Sequence, residues 1–168
     1  MPEPLFNNKG MQTDLFGTVD PPEKIRKCAV MHCDGASSGN PGESGIGVVI
    51  DFVDHNMQCG KISDTHRISE YIGIATNNIA EYTAFIRGIE KARSLGIERI
   101  NIFLDSELLV RQINGIYKVK NEKLIPLWVR AINVLKEFDE YSVVHIRREK
   151  NTEADMLARQ AVKKKTGI

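Results

Sequence analysis

A short apolar run that ends in a single carboxylate sets the frame for this chain. Cys28-Ala-Val-Met-His-Cys33 has the length and composition of a buried strand, and it leads directly into Asp34. The next eight residues hold three glycines and one proline, which predicts that the strand stops at Asp34 and the chain turns sharply. A charge at the end of a buried strand is paired, solvated or bound to a cation. The reading here is the third: Asp34 anchors a divalent-metal site, and the later acids return to it.

The same pattern recurs once. Arg99-Ile-Asn-Ile-Phe-Leu-Asp105 alternates, turns apolar and ends in an acid. Between the two strands lies a helix opened by Thr76-Asn77-Asn78, running to about Leu95 and stopped by Gly96. A helix between two strands makes a right-handed crossover, so the two strands are predicted to be parallel. Both aspartates then stand at the carboxyl edge, where open α/β sheets place their ligands. Within the helix, Tyr82, Phe85, Ile86 and Ile89 form the stripe that faces the sheet. Glu81 borders that stripe, with Asn77 and Asn78 one turn earlier on the same helix face, a set suited to a polar ligand across the helix start. Capping offers other roles: an Asn could cap the helix with Glu81 solvated, and Asp105 could cap a helix starting at Ser106. A cap does not explain the pairing of Asp105 with Asp34.

The remaining elements are predicted as follows. Gly45–Val53 is a second strand, in which Gly45 and Gly47 imply close approach of another backbone or a ligand. Asp54-His55-Asn56 is a turn, and a third strand runs from Met57 to about Ile72. Short loops make these first three strands antiparallel neighbours. His55 and His66 are expected at the surface. Ser106–Asn114 is a short helix. Tyr117, Lys118 and Lys120 occupy a loop that either meets a sugar-phosphate backbone or is simply solvated. A long helix from Lys123 to Phe138 buries Leu124, Trp128, Ala131 and Leu135. The last strand is Tyr141–Ile146, followed by a basic loop and a helix from Thr152 to about Lys165 with Ala154, Leu157, Ala158 and Ala161 inward. Asp155 sits in the first turn of that helix, also the acid position of a capping-box variant.

Length and charge limit the options. The chain has 168 residues, enough for one domain with a real core and a short appendage. Its net charge of +1 supplies no overall field for a polyanion, so any nucleic-acid contact must come from local basic clusters. Cys28, Cys33 and Cys59 have neither disulfide nor zinc spacing, and without a secretory segment this points to a reducing cytoplasm. No apolar run approaches a membrane span. Residues 1–26 lack periodicity and carry four prolines, so they are read as a flexible tail ahead of a catalytic domain at 27–168.

Asp34, Glu81, Asp105 and Asp155 each stand at an element end. Four converging carboxylates would repel strongly. Two Mg²⁺ ions would neutralise them, and such ions, roughly 3.5–4 Å apart, clamp the attacking and leaving oxygens of a phosphoryl displacement. Asp34-Gly-Ala-Ser-Ser-Gly-Asn-Pro-Gly, Thr76-Asn-Asn-Ile-Ala-Glu81, Asp105-Ser and Asn151-Thr-Glu-Ala-Asp155 resemble, in order, the four signature blocks of type 1 ribonuclease H, over about residues 27–163. The resemblance implies an α/β fold, ribonuclease H-like: a five-stranded mixed sheet of order 3-2-1-4-5 flanked by helices. It implies endonucleolytic cleavage of the RNA strand of RNA–DNA hybrids, leaving 3′-hydroxyl and 5′-phosphate ends.

By position, the resemblance makes the four acids metal ligands, Asp34 and Asp105 to both Mg²⁺ ions, Glu81 to the first and Asp155 to the second, with Mn²⁺ a possible substitute. Asn40, Asn77 and Asn78, with backbone at Gly35 and Ser37, would enter the minor groove, where the 2′-hydroxyl marks RNA. Two departures stand out. Gly115–Lys123 is too short for the basic helix-and-loop insertion of many members. His145, ten before Asp155, falls in a predicted strand where many members have a mobile loop histidine. Arg148, in the loop, is the preferred substitute, steadying the scissile phosphate, unless it is an ordinary solvated arginine. In the tail, Gln12 followed by Leu15-Phe16 resembles the bacterial sliding-clamp-binding pentapeptide, with Thr13 where that family often has Leu; the alternative is that Leu15 and Phe16 fold back on the domain. Two other functions compete: a broader nuclease that also cuts double-stranded RNA, and a non-catalytic, clamp-tethered hybrid-binding module.

Overall fold

The first strand is covered on both faces, which is why its sequence reads as an unbroken apolar run rather than an alternation. The computed structural model describes residues 27–53 and 61–167. Along the chain come β1 (Cys28–Ser37), β2 (Gly42–Val53), β3 (Ile62–Ala75), α1 (Asn77–Ser94), β4 (Arg99–Leu104), α2 (Glu107–Ile113), α3 (Ile125–Leu135), β5 (Glu140–His145) and α4 (Thr152–Thr166). The strands form one sheet of order β3-β2-β1-β4-β5. The β1–β2 and β2–β3 pairs are antiparallel, whereas β4 is parallel to both β1 and β5. This is the mixed sheet that the sequence predicts.

α1 packs on one face of the sheet. Tyr82, Phe85, Ile86 and Ile89 are all buried there, with Ala29, Met31, Cys33, Ile46 and Val48 of the strands in the same core. Fully burying side chains of this size stabilises by roughly 1.5–3 kcal/mol each. Gln112 of α2 joins three helices: its side-chain oxygen accepts from Tyr82 (2.7 Å) and its backbone oxygen from the indole N–H of Trp128 (3.2 Å). Trp128 is half-buried against the core, beside the fully buried Ala131 and Leu135.

α4 covers the other face over β2 and β1. Gly45 and Gly47 make this possible. A Cβ at Gly45 would meet the carbonyl of Ala158, and one at Gly47 would overlap the Ala154 carbonyl and the Ala158 amide. The close approach expected at these glycines is therefore that of a helix backbone.

Several boundaries differ from expectation. The chain does not turn at Asp34; β1 continues to Ser37, with Asp34 opposite Gly47 and Gly35 opposite Ile46. Small residues on both strands keep this hairpin paired past the acid. β3 runs to Ala75 rather than Ile72, because a register shift opposite Ser44/Gly45 and the positive φ of Gly73 (87°) absorb an extra residue without breaking the ladder. α3 begins at Ile125, with Pro126 in its first turn, and stops at Leu135, shorter than the predicted 123–138. Leu157 is half-buried, and Val162 joins Ala154, Ala158 and Ala161 inside instead. His66 is half-buried in β3 opposite Ile50 rather than at the surface. The turn with His55, the first residues of the predicted third strand and the tail with Gln12, Leu15 and Phe16 lie outside the described residues. No described helix is long and apolar enough to cross a membrane.

Candidate active site

β1 pairs in parallel with β4 only as far as His32 opposite Phe103, whereas its pairing with β2 continues to Ser37. The sheet therefore forks. Asp34 stands where β1 has lost β4, and Asp105 follows the last residue of β4. A helix start is brought to this fork from each face. On the α1 face, Gly35 has no Cβ and lets the backbone of Ala80 and Glu81 settle onto it. On the α4 face, Gly47 admits the first turns of α4, which carry Asp155. Asp34, Glu81, Asp105 and Asp155 line one cavity of about 690 Å³.

Local capping leaves these acids free for other work. The N-cap of α1 is Thr76, whose hydroxyl accepts from Ile79 N–H, not an asparagine. The N-cap of α2 is Ser106, accepting from Leu109 N–H, not Asp105. α4 starts after Asn151, and Asp155 takes no part in capping by its side chain.

The electrostatics are those of crowded carboxylates. Asp34 is only 9% exposed. Burial first, then the charges of Asp105, Asp155 and Glu81, push its pKa up to about 8, and the protonated group donates to Asp155. Burial also raises Glu81, with Asp105 adding to the shift, while hydrogen bonds from Ser106 and Asn77 (3.1 Å to Asn77) work against it. Partial burial acts the same way on Asp155, but Arg159 and Arg148 outweigh it and hold that carboxyl below its usual range. Both guanidinium groups lie close, Arg159 at 3.0 Å and Arg148 at 3.2 Å.

Among the described residues no group of three His, Cys, Asp or Glu stands as a ready cage for a metal ion. The donor set nonetheless fits hard divalent cations. It is all carboxylate oxygen, faces one cavity and carries a charge surplus that a cation would neutralise in place of that proton and those arginines.

The structure brings together most, but not all, of the residues singled out from sequence. Gly35, Ser37, Asn77 and Arg148 line the same cavity as the four acids. Asn40 sits at the rim, its side-chain oxygen accepting from Asn77 N–H (3.2 Å). Asn78 is exposed and outside the lining. His145 ends β5 exposed, opposite Leu104. Lys118 and Lys120 are exposed on the connection between α2 and α3, which carries no helix of its own, and the Arg111 guanidinium stacks over Tyr117 there. Three residues of the site were missed. Arg159 could have been found one turn after Asp155. Ser106 and Asn151 stand in the signature blocks around Asp105 and Asp155, but no periodicity shows that they reach acids distant in sequence.

Comparison with known proteins agrees with this arrangement. A family described as "Reverse transcriptase-like" matches residues 32–161. A ribonuclease HI of Halobacterium salinarum is 37% identical over 153 residues, covering 91% of this chain and 72% of the relative. The bifunctional protein Rv2228c of Mycobacterium tuberculosis is 37% identical over 133 residues, 79% of this chain; the match spans only 35% of that longer relative. The solved LC11-RNase H1 in complex with an RNA/DNA hybrid superposes with a TM-score of 0.71 at 36% identity, covering 82% of this chain and 99% of that one.

Proposed function

Since the chain belongs to the ribonuclease H family, we propose that it hydrolyses the RNA strand of RNA–DNA hybrids endonucleolytically, leaving 3′-hydroxyl and 5′-phosphate ends. The observation that carries this reading is the convergence of Asp34, Glu81, Asp105 and Asp155, from two strands and two helices, on one cavity at the sheet fork. The similar LC11-RNase H1 is solved with a hybrid bound, which supports the same substrate class here.

Asp34 and Asp105, at the fork, would hold both of two Mg²⁺ ions, with Glu81 on the first and Asp155 on the second, and Mn²⁺ would serve as a substitute. When bound, such ions neutralise the charge that develops on the attacking and leaving oxygens of a phosphodiester displacement. The protein's own groups prepare that state. For Asp34 to serve as a ligand, the proton it donates to Asp155 would leave to solvent. Ser106 and Asn77 fix the rotamer of Glu81. Asn77, with backbone at Gly35 and Ser37, offers hydrogen bonds beside the acids, where a 2′-hydroxyl in the minor groove would lie. Asn40 steadies the start of α1 through Asn77 N–H. Arg148, once Asp155 no longer needs it, is placed to bind the scissile phosphate.

Labelled hybrid, RNA duplex and DNA duplex, each with Mg²⁺ and with a chelator, test the proposal. Cleavage is expected in the RNA strand of the hybrid and only with the cation. Asp105→Asn should lower turnover by about 10³-fold, since the charge stabilisation lost is worth several kcal/mol, while hybrid binding persists. A wild-type protein that binds hybrid yet leaves it intact would overturn the proposal. Equal cutting of RNA duplex would widen the substrate class. An unchanged turnover number for Arg148→Ala would remove Arg148 from the mechanism.

A further inference from the structure

We propose that Asn151 is a positioning residue that sets the Asp105 carboxylate and keeps the start of α4 in register with both acid-bearing strands; this rests on the hybrid-cleaving reading of the same site. Asn151 is 2% exposed. At the residue before a helix, an Asn side chain ordinarily accepts from the first-turn N–H groups. This one makes no such bond. It turns inward across the fork instead, where its amide nitrogen donates to the Cys33 carbonyl (3.0 Å) and to Asp105 Oδ1 (2.8 Å).

The two contacts and the residue's own position fall on three segments that carry acids. Cys33 immediately precedes Asp34 in β1. Asp105 follows β4. Asn151 itself lies one helical turn before Asp155. A single buried amide therefore touches one acid directly and the chain segments that carry two others. Both partners are oxygen acceptors, so the amide nitrogen must face them. Its own oxygen is then left buried without a hydrogen-bond partner.

That orphaned oxygen argues against a purely structural cap. Serine or aspartate would cap α4 without leaving a buried carbonyl unpaired, but serine has one donor and aspartate would repel Asp105. An asparagine supplies two donors and no charge. The bond orients the Asp105 carboxylate and leaves its remaining lone pairs free for a cation. Partners of this kind, one bond behind a metal ligand, typically change metal affinity or activity by 10–100-fold.

The wild-type protein gives the first test. In a Mg²⁺ titration followed by side-chain amide NMR, the Asn151 NH₂ resonances should move with the binding midpoint, because their acceptor changes its charge environment. Resonances that stay still while the site saturates would overturn the proposal, whether or not any variant folds. The second test compares Asn151→Ala with Asn114→Ala. Asn114 also ties a helix end to the sheet, by an amide bond to the Val143 carbonyl (2.9 Å), but lies outside the cavity lining. Both variants should lose thermal stability. Only Asn151→Ala should lower kcat per folded molecule by about 10–100-fold and weaken calorimetric Mg²⁺ binding about tenfold, with KM for hybrid within about twofold of wild type. Equal behaviour of the two variants in kcat and Mg²⁺ affinity would also overturn it. If the wild type cuts no hybrid, the functional proposal fails, but the amide shift and the Mg²⁺ affinities still decide the role of Asn151.

Discussion

Asp34→Asn is expected to lower hybrid cleavage by about 10³-fold or more and, in the metal-free protein at pH 8, to raise the melting temperature. The activity loss follows from removing the carboxylate that would hold both cations, a contribution worth several kcal/mol of transition-state stabilisation. The stability gain follows from the same residue's environment. Burial, and then the neighbouring acids, raise Asp34 to about 8, against roughly 3.9 in an unfolded chain. Between about pH 4 and pH 8 the folded protein therefore holds a proton that the unfolded chain has released. Stability from this group is fully present below about pH 4 and drains away as pH rises through about 8. Asparagine stays neutral, so the variant should lack that slope.

Thermal melts in chelator at pH 5, 6.5 and 8 check this. Each kcal/mol moves the midpoint by roughly 2–4 °C in a protein of this size. The wild type should fall across the series, the variant should stay flatter, and Mg²⁺ should restore the wild type at pH 8 more than the variant. Asp155 does not confuse the reading. Its carboxyl is held low by Arg159 and Arg148, so its contribution is lost only as pH falls below the ordinary carboxylate range. A wild-type curve that stays level from pH 5 to 8 would show that Asp34 is not the strained acid described.

Gly35→Ala should cost both stability and turnover. The added Cβ would overlap the Ala80 carbonyl carbon and the Glu81 backbone nitrogen. These are helix backbone atoms, with no flexible side chain to swing aside, so α1 must retreat from β1. Overpacking of this kind costs about 1–3 kcal/mol, sometimes more. The functional cost should be larger, because Glu81 sits at the contact itself; a shift of about 1 Å at a reacting group can lower the rate about 10²-fold. Gly115→Ala serves as the control. Gly115 has a φ of +75° with open space around it, so alanine there strains the backbone without touching the site. Urea melts and turnover numbers together separate the two: both variants lose stability, and only Gly35→Ala loses turnover. Retained turnover in Gly35→Ala would mean that Glu81 does not depend on this contact.

The sequence made the strand-ending acids and the amphipathic face of α1 legible because both are local patterns. An apolar run into Asp34, its repetition at Asp105, and the 3.6-residue spacing of Tyr82, Phe85, Ile86 and Ile89 each follow from one element's own geometry. Topology then placed the two aspartates at one edge through the handedness of the β1–α1–β4 crossover. What escaped is what depends on two elements at once. The extension of β1 beyond Asp34 is decided by its partner β2, whose Gly45 and Gly47 stay paired with it. The bulge that carries β3 to Ala75 is decided across the ladder. Asn151 reaches Asp105 over 46 positions, and Arg148 meets Asp155 across the turn that leads into α4. The proton shared by Asp34 and Asp155 belongs to the assembled fork and to neither segment alone.

The seating of α4 against Gly45 and Gly47 has a consequence during biosynthesis. Strands and helices through β5 leave the ribosome first, carrying three of the acids, but Asp155 and Asn151 emerge only with the final helix. A nascent chain can thus present all five strands while still unable to complete the pocket. On the proposed chemistry, a ribosome-bound intermediate is silent toward nearby nucleic acid until α4 clears the exit tunnel and docks.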